Sequence, residues 1–294
     1  MDTFAGYHPI VNFIYFMAVM AITMFSIHPL FLAMTFGISF LYSWMLERGK
    51  AVKRNLCVLI PMVLLSMILN PLFTQRGETI LFYLNDAAVT MEAVVYGGAA
   101  AIMFASTVIW ISCFRNVMSS DKLIYLFGRM VPSLGLVLSM CLRFMPLLKR
   151  RFHEVYQGQR YLGRNFSHAS LGKRARQLGK EISILIAWSL EAGIETSDSM
   201  EARGYGLKGR SCYRLFRFDR RDGSLLTLIL TLTGIVIAGC TQKVNSILYY
   251  PRIRFRDVTA LSVLVYIAYG ILLVLPIGIE LLGERKWKRL YSKM

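Results

Sequence analysis

The residues of this chain best suited to a specific interaction are Ser199-Met200-Glu201-Ala202-Arg203-Gly204-Tyr205-Gly206. Arginine presents its N–H donors in a planar fork that matches a carboxylate. A glycine just past the last helical turn accepts the left-handed conformation that closes a helix, and a cation in that turn suits the negative end of the helix dipole. Such an end can enter a groove of a partner, with Arg203 forming a charge-assisted fork to a carboxylate and Ala202 small enough for the backbone to come close. An ordinary helix C-cap is the other reading of the same residues.

Other candidates for chemistry are sparse. Four histidines, His8, His28, His153 and His168, are too far apart for metal-ligand spacing. The cysteines, Cys57, Cys113, Cys141, Cys212 and Cys240, form no C-x-x-C pair, and four lie in apolar stretches where Cys behaves as a small hydrophobe. Gly172-Lys173 and Gly179-Lys180 are followed by Arg174 and Glu181 rather than Ser or Thr, and neither has a glycine five positions earlier. No P-loop is present, so ATP-driven work would be powered by another polypeptide. Nothing resembles a nucleophile elbow or a zincin helix, and no catalytic, cofactor-binding or metal-binding residue is expected. Glu191, Glu195 and Asp198 form an i, i+4, i+7 stripe, to be neutralised by the lysines and arginines of 149–180 or left as a solvated acidic face.

The elements that must carry these residues are set by composition. With 55% hydrophobic and 17% charged residues, the 294-residue chain is too apolar for a water-soluble domain. Apolar runs at 10–25, 30–46, 57–73, 94–113, 225–240 and 258–282 are read against the roughly 20 residues that cross a bilayer core. The expected fold is an all-α polytopic membrane protein of about six transmembrane helices, the count lying between six and eight. It divides into a four-helix membrane region (1–113), a basic cytoplasmic or interfacial helical region (114–222) and a two-helix membrane region with a basic tail (223–294).

Arg48, Lys50, Lys53 and Arg54 follow the second run, and Arg285, Lys286, Lys288, Arg289 and Lys293 follow the last. Counting spans puts both termini and 114–222 on one side, cytoplasmic by the positive-inside rule. Arg252, Arg254 and Arg256 fall on the outer loop and run against this bias. No basic stretch or small-residue cleavage site precedes Ile10, so a removed signal peptide is not expected. The net charge of +17 is accounted for by positive-inside anchoring and anionic headgroups, and no nucleic-acid module accompanies it.

Within the basic region, 123–148 mixes apolar residues with Arg129, Arg143, Pro132 and Pro146, which predicts one kinked interfacial helix. The polar run from Lys149 to Arg160 stops near Gly163, and Glu181 is expected to open a second helix running to Arg203-Gly204. On that helix Ser189, Ala192, Thr196, Ser199 and Ala202 or Arg203 make a flat strip for close helix approach.

In this setting Ser197 to Gly206 resembles the second Ala-Arg-Gly signature of the transmembrane T component of energy-coupling factor (ECF) transporters, also known from cobalt transport systems. Leu142-Arg143-Phe144-Met145-Pro146-Leu147-Leu148 resembles the family's arginine-phenylalanine-x-proline stretch, and the order of membrane segments fits. The first Arg-Gly signature falls near Gln159-Arg160-Tyr161-Leu162-Gly163-Arg164, where Leu162 precedes the glycine and Arg160 or Arg164 is left to provide the charge. The resemblance implies a non-catalytic scaffold in the cell membrane, bound to two cytoplasmic ABC ATPases and a membrane S component that carries a vitamin or a transition-metal ion. ATP and Mg would sit on the ATPases, with Ala202, Arg203, Gly204, Arg160, Gly163 and Arg164 as the coupling residues of this chain.

Two other classes are weighed against it. A membrane enzyme acting on a lipid or isoprenoid phosphate would need paired acidic metal ligands, for which Glu191, Glu195 and Asp198 are the candidates. A secondary transporter would carry mid-membrane charges or repeated halves, and the two halves here are dissimilar.

Overall fold

Apolar runs with no internal charge become helices because a spanning segment must satisfy its backbone N–H and C=O groups within itself. The computed structural model describes residues 3–47, 49–74, 77–84, 87–162, 171–207, 216–242, 247–251, 254–255 and 259–291. Its helices α1 (Pro9–Phe25), α2 (Pro29–Glu47), α3 (Gly49–Phe73) and α4 (Met91–Val117) take up the first four apolar runs. Helices α5 (Ser120–Met130), α6 (Pro132–Tyr161) and α7 (Leu171–Ala202) follow, and α8 (Arg220–Thr241) and α9 (Ala260–Tyr291) take up the last two runs. Between α3 and α4 lies an antiparallel pair, β1 (Ile80–Leu84) with β2 (Ala87–Thr90); a second, β3 (Ile247–Leu248) with β4 (Arg254–Phe255), joins α8 to α9.

Five of these helices are long and apolar enough to cross a membrane, within Pro29–Glu47, Asn55–Phe73, Met91–Val117, Arg220–Thr241 and Ala260–Lys286. The sixth apolar helix, α1, has 17 residues. It rises about 26 Å against a hydrocarbon core of about 30 Å. Its entry is fixed locally: Pro9 occupies the first turn, where its missing N–H costs nothing, and the His8 ring Nδ1 accepts from the Ile10 N–H at 3.3 Å.

The chain divides into two compact units, 1–123 with 216–294, and 124–215. In the first, α4 packs on α1, α2 and α3, while α9 packs on α8 and α2. Its core is aromatic: Phe4, Tyr15, Phe16, Tyr42 and Trp110 are buried, with edge-on contacts such as Tyr15–Trp110 and Phe16–Phe114. Polar bonds hold helices together where lipid offers no competing partner. The Ser66 hydroxyl donates to the Gly97 carbonyl at 2.8 Å, and the Thr35 and Tyr269 hydroxyls pair at 2.6 Å. Leu56, Ile60, Leu64, Leu65 and Ile68 of α3 remain exposed, as befits a face toward lipid.

Cross-chain bonds sort the loops of this unit into two ends. At one end the Asn116 amide donates to the Glu47 carboxylate, the His8 N–H to the Asp222 carboxylate, and Lys122 to the Ala5 carbonyl. At the other the Tyr249 hydroxyl donates to the Ile27 carbonyl at 2.7 Å, and Tyr249 packs edge-on against Tyr96.

The second unit corrects two expectations. The stretch 123–148 is not one kinked helix: α5 ends at Met130, Val131 takes an extended conformation, and Pro132 starts α6. Proline holds its predecessor out of the α region, whereas Pro146 stays inside α6 without ending it. At this corner Gly128 and Gly135 touch backbone to backbone, leaving no room for a Cβ on Gly135. The second long helix does not open at Glu181 but at Leu171. Lys173, Arg174, Arg176 and Lys180 are good helix formers, so the apolar onset at Ile182 marks a change of surroundings rather than a helix start.

Candidate partner-docking site

Helices α6 and α7 pack on each other in antiparallel sense. One pairing point is Trp188, whose ring lies 5.9 Å from that of Phe144 and carries the Arg151 guanidinium 5.0 Å from its centroid. Phe144 of the arginine-phenylalanine stretch therefore builds the seam between the helices, and Arg143 beside it is exposed. The stacked guanidinium and indole give this seam a cation–π contact.

The other pairing point is polar. The Gln177 amide donates to the Gln159 carbonyl oxygen at 3.5 Å and to the Glu181 carboxylate at 3.3 Å. Gln177, Glu181 and Leu185 are the buried residues of α7 and, four apart, they trace the face turned to its neighbour. Neither Trp188 nor this glutamine pair was singled out from sequence. The i, i+4, i+8 spacing of 177, 181 and 185 was the available signal, hidden because two of the three are polar.

The expected flat strip is divided by this packing. Ser189 and Ala192 are half-buried, whereas Thr196, Ser199, Ala202 and Arg203 are exposed. Glu191, Glu195 and Asp198 are exposed too, with no ion pair among the described residues, so they form a solvated face. No group of three His, Cys, Asp or Glu side chains gathers as metal ligands among the described residues.

The C-terminal end of α7 is closed by a double bond pattern. The Tyr205 N–H donates to the Met200 carbonyl at 3.0 Å and the Gly204 N–H to the Glu201 carbonyl at 2.9 Å. These are the 6→1 and 5→2 bonds of a Schellman motif, which requires a left-handed residue. Gly204 supplies it with φ of 80°, and Gly206 repeats the left-handed turn at φ 96°. Two orphan carbonyls are satisfied, the helix stops sharply, and Arg203 stands exposed at its tip without an ion pair to any described residue.

The end of α6 is built differently. Its last helical residue is Tyr161, and Leu162 caps it with φ of −76° and ψ of 13°, its N–H donating to the Gly158 and Arg160 carbonyls. Arg160 lies in this last turn and is exposed, as is Leu162; Gly163 and Arg164 lie outside the described residues. Because Gln159 meets Gln177 across the seam, the α6 end lies beside the N-terminal part of α7. The α7 axis from Gln177 to Arg203 is about 40 Å long at ~1.5 Å per residue. The two arginine-bearing ends thus project from opposite ends of the helix pair.

Spanning helices around an aromatic core, together with a polar helical unit ending in an exposed arginine, define an all-α, multi-pass membrane protein. Residues 7–213 match the family described as CbiQ, cobalt transport protein, and the chain belongs to that family. It is 33% identical over 117 residues to the energy-coupling factor transporter transmembrane protein EcfT of Lactobacillus helveticus, covering 40% of this chain and 42% of that one. It is 28% identical over 190 residues to EcfT of Lacticaseibacillus paracasei, covering 61% and 72%. With EcfT of Lactococcus lactis it shares 26% identity over 196 residues, covering 63% and 73%. The chain thus spans less than half the length of the first of these relatives and nearly three quarters of the other two. These relatives place it among the transmembrane T components of ECF transporters.

Proposed function

We propose that this chain is the scaffold through which two cytoplasmic ABC ATPases, holding ATP and Mg, drive a membrane S component that carries a vitamin or a transition-metal ion. The observation that carries the reading is the exposed Arg203 at a sharply closed helix end, about 40 Å along α7 from the level of Arg160 at the end of α6. Two separate contacts at that spacing suit two ATPase subunits, one per helix end. Closure of the ATPase pair on ATP would move the two ends as one, and stiff helices joined at Trp188 and Gln177 would carry that motion. Arg203 would dock by a fork to a carboxylate, Ala202 and Gly204 giving its backbone room, with Arg160, Gly163 and Arg164 at the other contact.

Both termini and the coupling helices are assigned to the cytoplasmic side. In support, one end of the membrane unit gathers Thr3–His8, Glu47, Asn116, Lys122 and Asp222, next to the basic residues Arg115, Arg220 and Arg221. Co-purification of the full chain with its ATPases tests the reading. Arg203→Glu is expected to abolish it; retained assembly together with retained ATP-driven uptake would defeat the docking role.

A further inference from the structure

Residues Thr3–His8 form a short segment, polar in part, whose Phe4 and His8 are buried. Phe4 has 0% exposure and packs edge-on against Tyr15 at 5.4 Å. Thr3 lies against Gly283 of α9, where a Cβ would overlap its side chain. A turn closed by the Gly6 N–H on the Thr3 carbonyl then leads into α1.

Two charged side chains hold this segment, and both are buried. Lys122, at 8% exposure, donates to the Ala5 carbonyl and, at 2.9 Å, to the Val117 carbonyl at the end of α4. An ammonium there meets the negative end of the α4 dipole. Asp222, at 6% exposure, accepts from the His8 N–H at 3.1 Å through one oxygen and from the Asp219 N–H at 3.0 Å through the other. The second bond belongs to the capping box that starts α8, and the Phe218 ring stands edge-on to His8 at 5.3 Å. One carboxylate therefore caps a helix and ties down the N-terminal segment together.

Their positions in the chain give these contacts meaning. Lys122 is the penultimate residue before the chain leaves the membrane unit at 123, and Asp222 follows shortly after it re-enters at 216. We propose that Thr3–His8 is a strap that pins together the exit and re-entry points of the coupling unit, with Lys122 and Asp222 as positioning residues that transmit its motion to α4 and α8. The transmission role rests on the ATPase-coupling reading above; the strap itself rests only on these contacts. A peptide gripped at both crossings makes them move as one body, so a displacement of 124–215 reaches α4 and α8 together instead of being lost in two independent joints.

Hydrogen exchange on the full chain in lipid nanodiscs tests the strap. Asp222→Asn keeps the size of the side chain but removes its charge, and exchange is expected to rise about tenfold or more at 219–223, at 3–8 and, through the strap, at 117–123. Lys122→Met is expected to give the mirror result, with Lys122→Arg restoring protection. If Asp222→Asn alters only 216–224, the residue is an ordinary helix cap and the strap is overturned. For transmission, MgATP is added to the wild-type complex with its ATPases, where exchange at 117–123 and 216–223 should respond. Both charge-removing variants should lose that response while hydrolysing ATP at the wild-type rate; an unchanged response, or equal loss of hydrolysis, overturns the role. Failure of the wild-type chain to bind ATPases counts against the preceding proposal, and the exchange pattern still decides the strap.

Discussion

The ends of α6 and α7 resemble each other in sequence position and differ in how they stop. Helix α7 ends on Arg203 with a left-handed glycine that completes two backbone bonds, so the arginine is presented from a rigid turn. Helix α6 ends on a Leu162 cap in right-handed conformation, and its nearest arginine, Arg160, sits inside the last turn. A guanidinium presented from a turn closed in this way loses little conformational freedom on docking. Two helices joined in one unit need not contribute equally, and under the proposed docking role the more firmly closed end gives Arg203 the greater share.

The sharpest way to break this assignment is charge reversal. Arg203→Glu is expected to weaken ATPase binding by about 100-fold or more, since it removes a fork and opposes a carboxylate. Pull-down titration from membranes reads the effect. Next comes Gly204→Ala, which leaves Arg203 in place but forces an alanine to φ near 80° and sets its Cβ against Leu207. The cost of about 1–2 kcal/mol should open the last turn, seen as faster amide exchange at 203–205 and about tenfold weaker binding. Unchanged exchange there would show that turn rigidity is not what distinguishes the two ends.

Trp188→Ala tests the opposite idea, that the shared seam matters more than either end. Removing a half-buried indole that contacts Phe144 and Arg151 should cost about 2 kcal/mol of local stability and loosen both ends alike in exchange measurements. The smallest expected effect is that of Arg160→Ala, about threefold on binding, in the range of an exposed charge pair. A loss equal to that of Arg203→Ala would abolish the proposed asymmetry. Leu162→Arg, which places an arginine directly before Gly163, should strengthen binding and narrow the gap.

Much of this was legible in the chain before folding was considered. The membrane helices were readable because the constraint on them is local: each must be apolar over its own length, and Pro29–Glu47 or Ala260–Lys286 satisfies that without reference to neighbours. Gly204 was readable for the same reason, as only a residue tolerant of positive φ closes that turn cheaply. The break at Val131–Pro132 was missed although Pro132 was in view, because two prolines, 132 and 146, give the same local signal and only one ends a helix. The true start of α7 was missed because basic helix formers look like a loop when burial is taken as the mark of a helix.

The amino-acid sequence by itself determined the solvent of each segment, the order of the helices and the chemistry of the Ala202-Arg203-Gly204 end. All three follow from the free energy of residues in lipid, water or a left-handed turn, and that free energy is a property of the residues themselves. Tertiary structure alone decided which contacts join distant positions. It set Trp188 between Phe144 and Arg151 and Gln159 against Gln177, and it brought Lys122 and Asp222 onto the segment before α1. The last of these bonds spans a sequence separation of 214 residues. The bonds to Ala5 and His8 have no local signature, because only packing brings those partners to Lys122 and Asp222.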